Sequence, residues 1–290
     1  MIDNVTSLPK PRIFVYQGMI VATAEECLKV TEAGYELIGD TDIQSALGII
    51  KIIRIVSPGN CLVGGPSSVL AMEKLVLTLK TMNVPKILID GAFSRKAISQ
   101  TSDACIFAVG AVISPSMDQV VSAAELTIAQ FGLPKVAKEL EYLDQIDHVA
   151  LIDYQGQTKV LEWDSALMDP ESIFEAVEPN IEYIYIPGSL SSIFAKEYIK
   201  RRKTPLPNII LKSPAHLILP ELLLTQLFQT GKRIDVLHPI HIIAIAYNPF
   251  SPTGYEFDEL TFRHRLLAIT TLPLLNVLHE SEDSHEQIKS

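Results

Sequence analysis

A chain of 290 residues, 48% hydrophobic and 20% charged, carries enough apolar surface for one large or two ordinary cores, which excludes an intrinsically disordered protein. Its 34 acidic side chains outnumber 24 basic ones and leave a formal net charge of -10, so neither nucleic acid nor an anionic membrane is expected as a sequence-independent partner. Three cysteines, Cys27, Cys61 and Cys105, have no metal-like spacing; they imply no disulfide framework and suit buried thiols in a reducing cytosol.

The N-terminus MIDNVTSLPKPRI lacks a cationic start followed by an apolar core, so no signal peptide is read there. Short β-branched runs then alternate with amphipathic segments, the pattern of a largely parallel α/β sheet. Arg12 to Tyr16 reads as a strand and Thr23 to Ala33 as a helix stopped at Gly34. Leu47 to Val56 and Cys61 to Val63 read as strands joined by the turn Ser57-Pro58-Gly59-Asn60. Ser68 to Met82 is helical, with Val69, Met72, Leu75, Val76 and Leu79 on one face. Lys86 to Ile89 and Ala104 to Val109 read as strands, and Pro115 to Phe131 as a helix that Ser114 can cap.

A break at Leu133-Pro134 and the charged stretch Lys135 to Asp147 suggest a boundary, giving domains 1–141 and 142–290. The second half restarts with strands at His148 to Asp153 and Thr158 to Trp163. A helix opens at Asp169-Pro170, a strand spans Tyr183 to Ile186 and a helix Ser191 to Arg202. Asn208 to Lys212 is a strand, Leu219 to Thr230 a helix, and Ile234 to Leu237 and His241 to Tyr247 are strands. Phe257 to Ala268 is the last helix, Pro273 to Leu278 the last strand, and the tail HESEDSHEQIKS is polar. The longest apolar runs, such as Leu217 to Leu224, are broken by Pro220 and Glu221 and are too short to span a bilayer.

Candidate sites lie where strands end. Gly64-Gly65-Pro66-Ser67-Ser68 and Gly188-Ser189-Leu190-Ser191-Ser192 each join a strand to a helix, and Asp90-Gly91-Ala92-Phe93-Ser94-Arg95 supplies a carboxylate beside a cation. Small residues and hydroxyls ahead of a helix can expose backbone N–H groups to a phosphate or carboxylate, but they are also the ordinary residues of tight turns and helix caps. Asp90 can orient a nucleotide or hydrated magnesium, or simply cap the next turn. The loop Asn248-Pro249-Phe250-Ser251-Pro252-Thr253-Gly254, stiffened by two prolines, also follows a strand. His238 and His241 sit three apart around Pro239 on an extended segment, so they need not face the same side, and satisfied or exposed histidines are expected over a metal site.

The motifs that would declare an autonomous nucleotide enzyme are missing. Gly231-Lys232 is the one Gly-Lys pair, and Gln226 stands where the leading glycine of a phosphate-binding loop belongs. No GxGxxG follows a strand, and no GxSxG surrounds Ser189, Ser191 or Ser192.

The segments Leu8-Pro9-Lys10-Pro11-Arg12, Val21-Ala22-Thr23-Ala24, Ile89 to Arg95, Asp103 to Ala111 and Asn248-Pro249-Phe250-Ser251-Pro252 resemble the B subunit of the lysine aminomutase reactivase family. The resemblance implies a cytoplasmic, non-catalytic accessory protein of lysine degradation and amino-acid fermentation. Its partners would be a MutS-like ATPase and an aminomutase that uses adenosylcobalamin and pyridoxal phosphate. The first half would resemble part of a dethiobiotin-synthetase-like, P-loop-like nucleotide fold. The family carries a phosphate-binding loop ahead of the Pro-Lys-Pro-Arg stretch, and Met1 here stands only a few residues before it. That loop is then on another polypeptide, lost to a fragment, or abandoned together with nucleotide binding; in the first case ATP and magnesium are shared with the partner.

The resulting expectation is an α/β chain of two halves. Asp90, Gly91, Ser94, Arg95, Gly64, Gly65, Ser67, Ser68, Gly188 and Ser189 are its ligand or nucleotide candidates, and Asn248, Pro249 and Ser251 its partner contacts. A small-anion or nucleotide-binding enzyme using the same loops is the alternative. A third possibility is a subunit that completes another chain's sheet through an exposed apolar edge near Arg12 to Tyr16.

Overall fold

In the computed structural model, residues 12–90, 102–164, 166, 170–201 and 206–278 are described. The chain is α/β and divides into two compact units, Met1–Ser102 and Asp103–Ser290, ahead of the boundary read from the charged stretch.

Among the described residues of the first unit every strand pairing is antiparallel, unlike the mostly parallel sheet expected of this half, because its strands follow one another through short turns rather than crossover helices. β2 (Ile20–Ala24), β4 (Gly48–Ser57) and β3 (Gly34–Ser45) form a sheet in the order β2-β4-β3, and β1 (Ile13–Val15) pairs with β5 (Gly59–Cys61). The expected helix from Thr23 to Ala33 shrinks to α1 (Glu25–Leu28). Ile20 to Thr23 is drawn into the sheet, and the Thr31 hydroxyl donates to the Cys27 carbonyl at 3.1 Å, closing the helix early. β3 has no clean apolar alternation and three register shifts against β4, so no strand is read there from the sequence. The cross-strand ion pairs Arg54–Glu36 and Lys51–Asp40, at 3.0 and 2.5 Å, lie on opposite faces of β4 and tie β3 to it, guarding an open edge more than they stabilise the sheet.

Helix α2 (Val69–Thr81) lays Met72, Leu75, Val76 and Leu79 on the sheet, as their spacing requires. The expected strand Lys86 to Ile89 is corrected: Ile87 and Ile89 pack partly against the α2 cluster while Leu88 points out, but the segment joins no sheet among the described residues. Cys27 and Cys61 are buried and free, and burial pushes the Cys61 and Cys105 thiols up.

The second unit holds a three-stranded and a five-stranded sheet. β6 (Cys105–Gly110), β12 (Ile242–Asn248) and β15 (Leu274–Asn276) are parallel, in the order β15-β12-β6. Helices α3 (Met117–Phe131) and α7 (Glu259–Ile269) cover one face through Phe107, Val109, Val121, Ile245 and Phe262. Ser116, rather than Ser114, caps α3. The Ser114 hydroxyl accepts the Ser116 N–H at 3.1 Å, which moves the helix start beyond Pro115.

β7 (Ala150–Asp153), β8 (Thr158–Val160), β9 (Ile181–Ile186), β10 (Asn208–Leu211) and β11 (Ile234–Val236) form the other sheet, in the order β11-β10-β9-β7-β8. β9, β10 and β11 run parallel, joined by α5 (Ser192–Lys200) and α6 (Glu221–Phe228), while β7 runs antiparallel to both of its neighbours. α4 (Pro170–Glu175), α5 and α6 close one apolar cluster around Phe194. The charged stretch folds as a 3₁₀ segment, Lys138–Gln145, whose Leu143 packs with Ile152, Tyr185 and Ile210 in another. Asp169, Arg202 and the tail from His279 lie outside the described residues. Among those described, no helix is long and apolar enough to cross a membrane.

Candidate functional site

The first unit holds the Gly-Gly-Pro-Ser-Ser turn and Asp90. The N–H of Gly64 donates to Thr23 Oγ1 at 2.9 Å, and its carbonyl accepts the Ala24 N–H at 2.9 Å. A Cβ here would sit 2.8 Å from Cys27 Sγ and 3.1 Å from Leu47 Cδ1, so close approach accounts for this glycine. Ser68 caps α2 by accepting the Ala71 N–H at 3.2 Å, while Gly65 is half-buried and Ser67 exposed. Asp90 is exposed; Gly91, Ser94 and Arg95 lie outside the described residues.

In the second unit, Asn248 ends β12 and folds its side chain back, Oδ1 accepting the Phe250 N–H at 2.9 Å. The Pro249 carbonyl accepts the Phe257 N–H at 2.9 Å, and the buried Ser251 hydroxyl lies 2.8 Å from Thr253 Oγ1. β13 (Phe250–Ser251) and β14 (Tyr255–Glu256) pair antiparallel, and Tyr255 donates to the Ala111 carbonyl. The loop is therefore a braced hairpin in which Phe250 is 44% exposed.

The carboxyl ends of β9, β10 and β11 share one edge, because the three strands are parallel. Gly188 and Ser189 follow β9, Lys212 to His216 follow β10, and His238 follows β11. Backbone hydrogen bonds bind these loops together: the N–H of Leu190 donates to the His216 carbonyl at 2.9 Å, and that of His238 to the Lys212 carbonyl at 2.8 Å. Lys212 Nζ is 3.2 Å from Asp147, His238 Nε2 is 2.8 Å from Asp144, and His216 Nδ1 is 3.2 Å from the buried Ser213 hydroxyl. Ser191 caps α5, accepting the Phe194 N–H at 3.1 Å and donating to the Ala166 carbonyl at 3.0 Å. Ser191→Ala is expected to lower stability by about 1 kcal/mol in a urea titration, with the midpoint moving and the slope unchanged.

Compared with known proteins, this chain matches no family model, no curated protein and no solved structure. The site is thus known by its geometry alone. That geometry brings Gly188 and Ser189 to an edge with Lys212, His216 and His238, three side chains that periodicity did not single out together. One signal was available in hindsight: Lys212-Ser213-Pro214-Ala215-His216 is a polar strand ending of the same kind as the glycine-serine loops. His238 turns to Asp144, while His241 contributes its carbonyl to the Cys105 N–H at 2.7 Å. Among the described residues no three His, Cys, Asp or Glu side chains gather to hold a metal. A separate shallow depression of about 530 Å³ lies at the start of α3, lined by Ser114, Asp118, Gln119, Ser122 and Glu221 together with Ile113 and Ala123.

Proposed function

We propose that this chain is an accessory subunit of the reactivase type, acting with a MutS-like ATPase on an adenosylcobalamin- and pyridoxal-phosphate-dependent aminomutase. The resemblance of five segments spread from Leu8 to Pro252 supplies the identity of the partners. One structural observation supports a binding role. The parallel sheet β6-β12-β15 has helices on one face, while on the other Ile106, Leu275 and Val277 are 55%, 38% and 47% exposed, with exposed Ala108 and half-buried Ala246 between them. Parallel sheets are stable when both faces are covered, so an apolar face of this kind favours a further layer of protein.

The reading also agrees with how the strand-end loops use their polar groups. Ser68, Ser191, Asn248 and Ser251 spend their side-chain oxygens on caps and hairpin bracing. The test mixes the purified chain with the ATPase and an inactivated aminomutase, then reads complex formation by light scattering and the return of mutase turnover with ATP and magnesium. Recovery of turnover that depends on this chain is expected. Ile106→Asp is expected to abolish complex formation while leaving the circular dichroism spectrum unchanged. No complex and no recovery with the unaltered chain would reject the reading.

A further inference from the structure

We propose that the turn Ser213–His216 is an acid-labile latch, in which charging of the His216 imidazole releases the loop between β9 and α5 from the carboxyl edge of the sheet. The turn joins three elements. The His216 carbonyl accepts the Leu190 N–H at 2.9 Å, and Leu190 and Leu217 form a parallel bridge. The carbonyls of Pro214 and Leu217 accept the side-chain amide of Gln130, buried in α3, at 2.7 and 3.0 Å. Moving His216 therefore loosens the entry to α5, the entry to α6 and the seat of α3 together.

The imidazole sits where a cation is unwelcome. Burial holds it below the ordinary histidine range; the Ser213 backbone carbonyl favours the charged ring but is outweighed, and Lys212 and His238 add repulsion. The nearby carboxylates face other partners, Asp147 meeting Lys212 and Asp144 meeting His238, while α3 presents the neutral Gln130. The sign follows from these neighbours. A base that resists protonation when closed but accepts it when open favours closure above its unfolded value of about 6.5. That preference is lost as the pH falls from there toward the closed-state titration.

The measurement is hydrogen exchange of the Leu190 amide in the intact chain from pH 7.5 to 5.5, corrected for the intrinsic pH dependence of exchange. Below about pH 6.5 opening should increase, approaching about tenfold per pH unit, and His216→Gln should flatten the profile. His238→Gln should keep the slope. A flat profile in the unaltered chain, an unchanged slope in His216→Gln, or a slope lost in His238→Gln would overturn the latch. Should His216→Gln fail to fold, the imidazole is titrated by NMR in the unaltered chain. A midpoint at or above about 6.5 there rejects the proposal, and a lower one that Lys212→Met raises supports it.

Discussion

Phe194→Ala is expected to destabilise the second unit by about 3–5 kcal/mol, a large part of the 5–15 kcal/mol typical of a folded domain. Phe194 is fully buried in the cluster between α5 and the five-stranded sheet. Its ring stacks on Phe174 at 5.0 Å between centroids and lies 6.2 Å from Tyr198, so truncation removes both transfer energy and two aromatic contacts. Neighbouring residues cannot all collapse into the space, because Phe174 is itself held under Arg201, whose guanidinium carbon lies 4.7 Å from the ring centroid. Trp163, the chain's single tryptophan, packs against the same cluster and reports its unfolding by fluorescence. Phe194→Leu should cost clearly less than Phe194→Ala, since more of the volume remains. Equal losses for the two would show that ring contacts rather than cavity size control this site.

Gln130→Leu is expected to be the next most damaging substitution. The buried amide gives both of its protons to the carbonyls of Pro214 and Leu217, and leucine fills similar space without donating. The Pro214 carbonyl keeps the Leu217 N–H at 3.2 Å, but the Leu217 carbonyl loses its side-chain donor, and a buried carbonyl left unsatisfied costs about 1–3 kcal/mol, more than loss of the Ser191 cap. Gln130→Glu, which keeps the shape and loses the donors, should behave at least as badly at neutral pH. Denaturant midpoints of the two variants beside Ser191→Ala check the ranking. A loss for Gln130→Leu below that for Ser191→Ala would mean that the turn finds other donors.

The α/β class, and most helices and strands of the second unit, were legible because they depend on local pattern. The apolar spacing of α2 placed Met72, Leu75, Val76 and Leu79 inward, and the β-branched runs marked β4, β9, β10 and β12 to within about two residues. Strand direction was legible only where strands and helices alternate, as in the parallel pairings of the second unit; in the first, a run such as Ile13 to Val15 looks the same whether its partner runs parallel or antiparallel. Lys86 to Ile89 shows the limit most plainly: its apolar pattern is that of a strand, yet a strand exists only where another edge accepts its hydrogen bonds. The polar loops divide in the same way. Residue type showed that Gly64, Ser68, Ser189 and Asn248 lie at strand and helix ends; their neighbours decide what each does there. Gly64 is called for by Cys27 and Leu47, Ser68 by the first turn of α2, and Asn248 by the hairpin that follows it. The gathering of Lys212, His216 and His238 with Asp144 and Asp147 was decided by tertiary structure alone, because only parallel strand pairing brings the ends of β9, β10 and β11 to one edge.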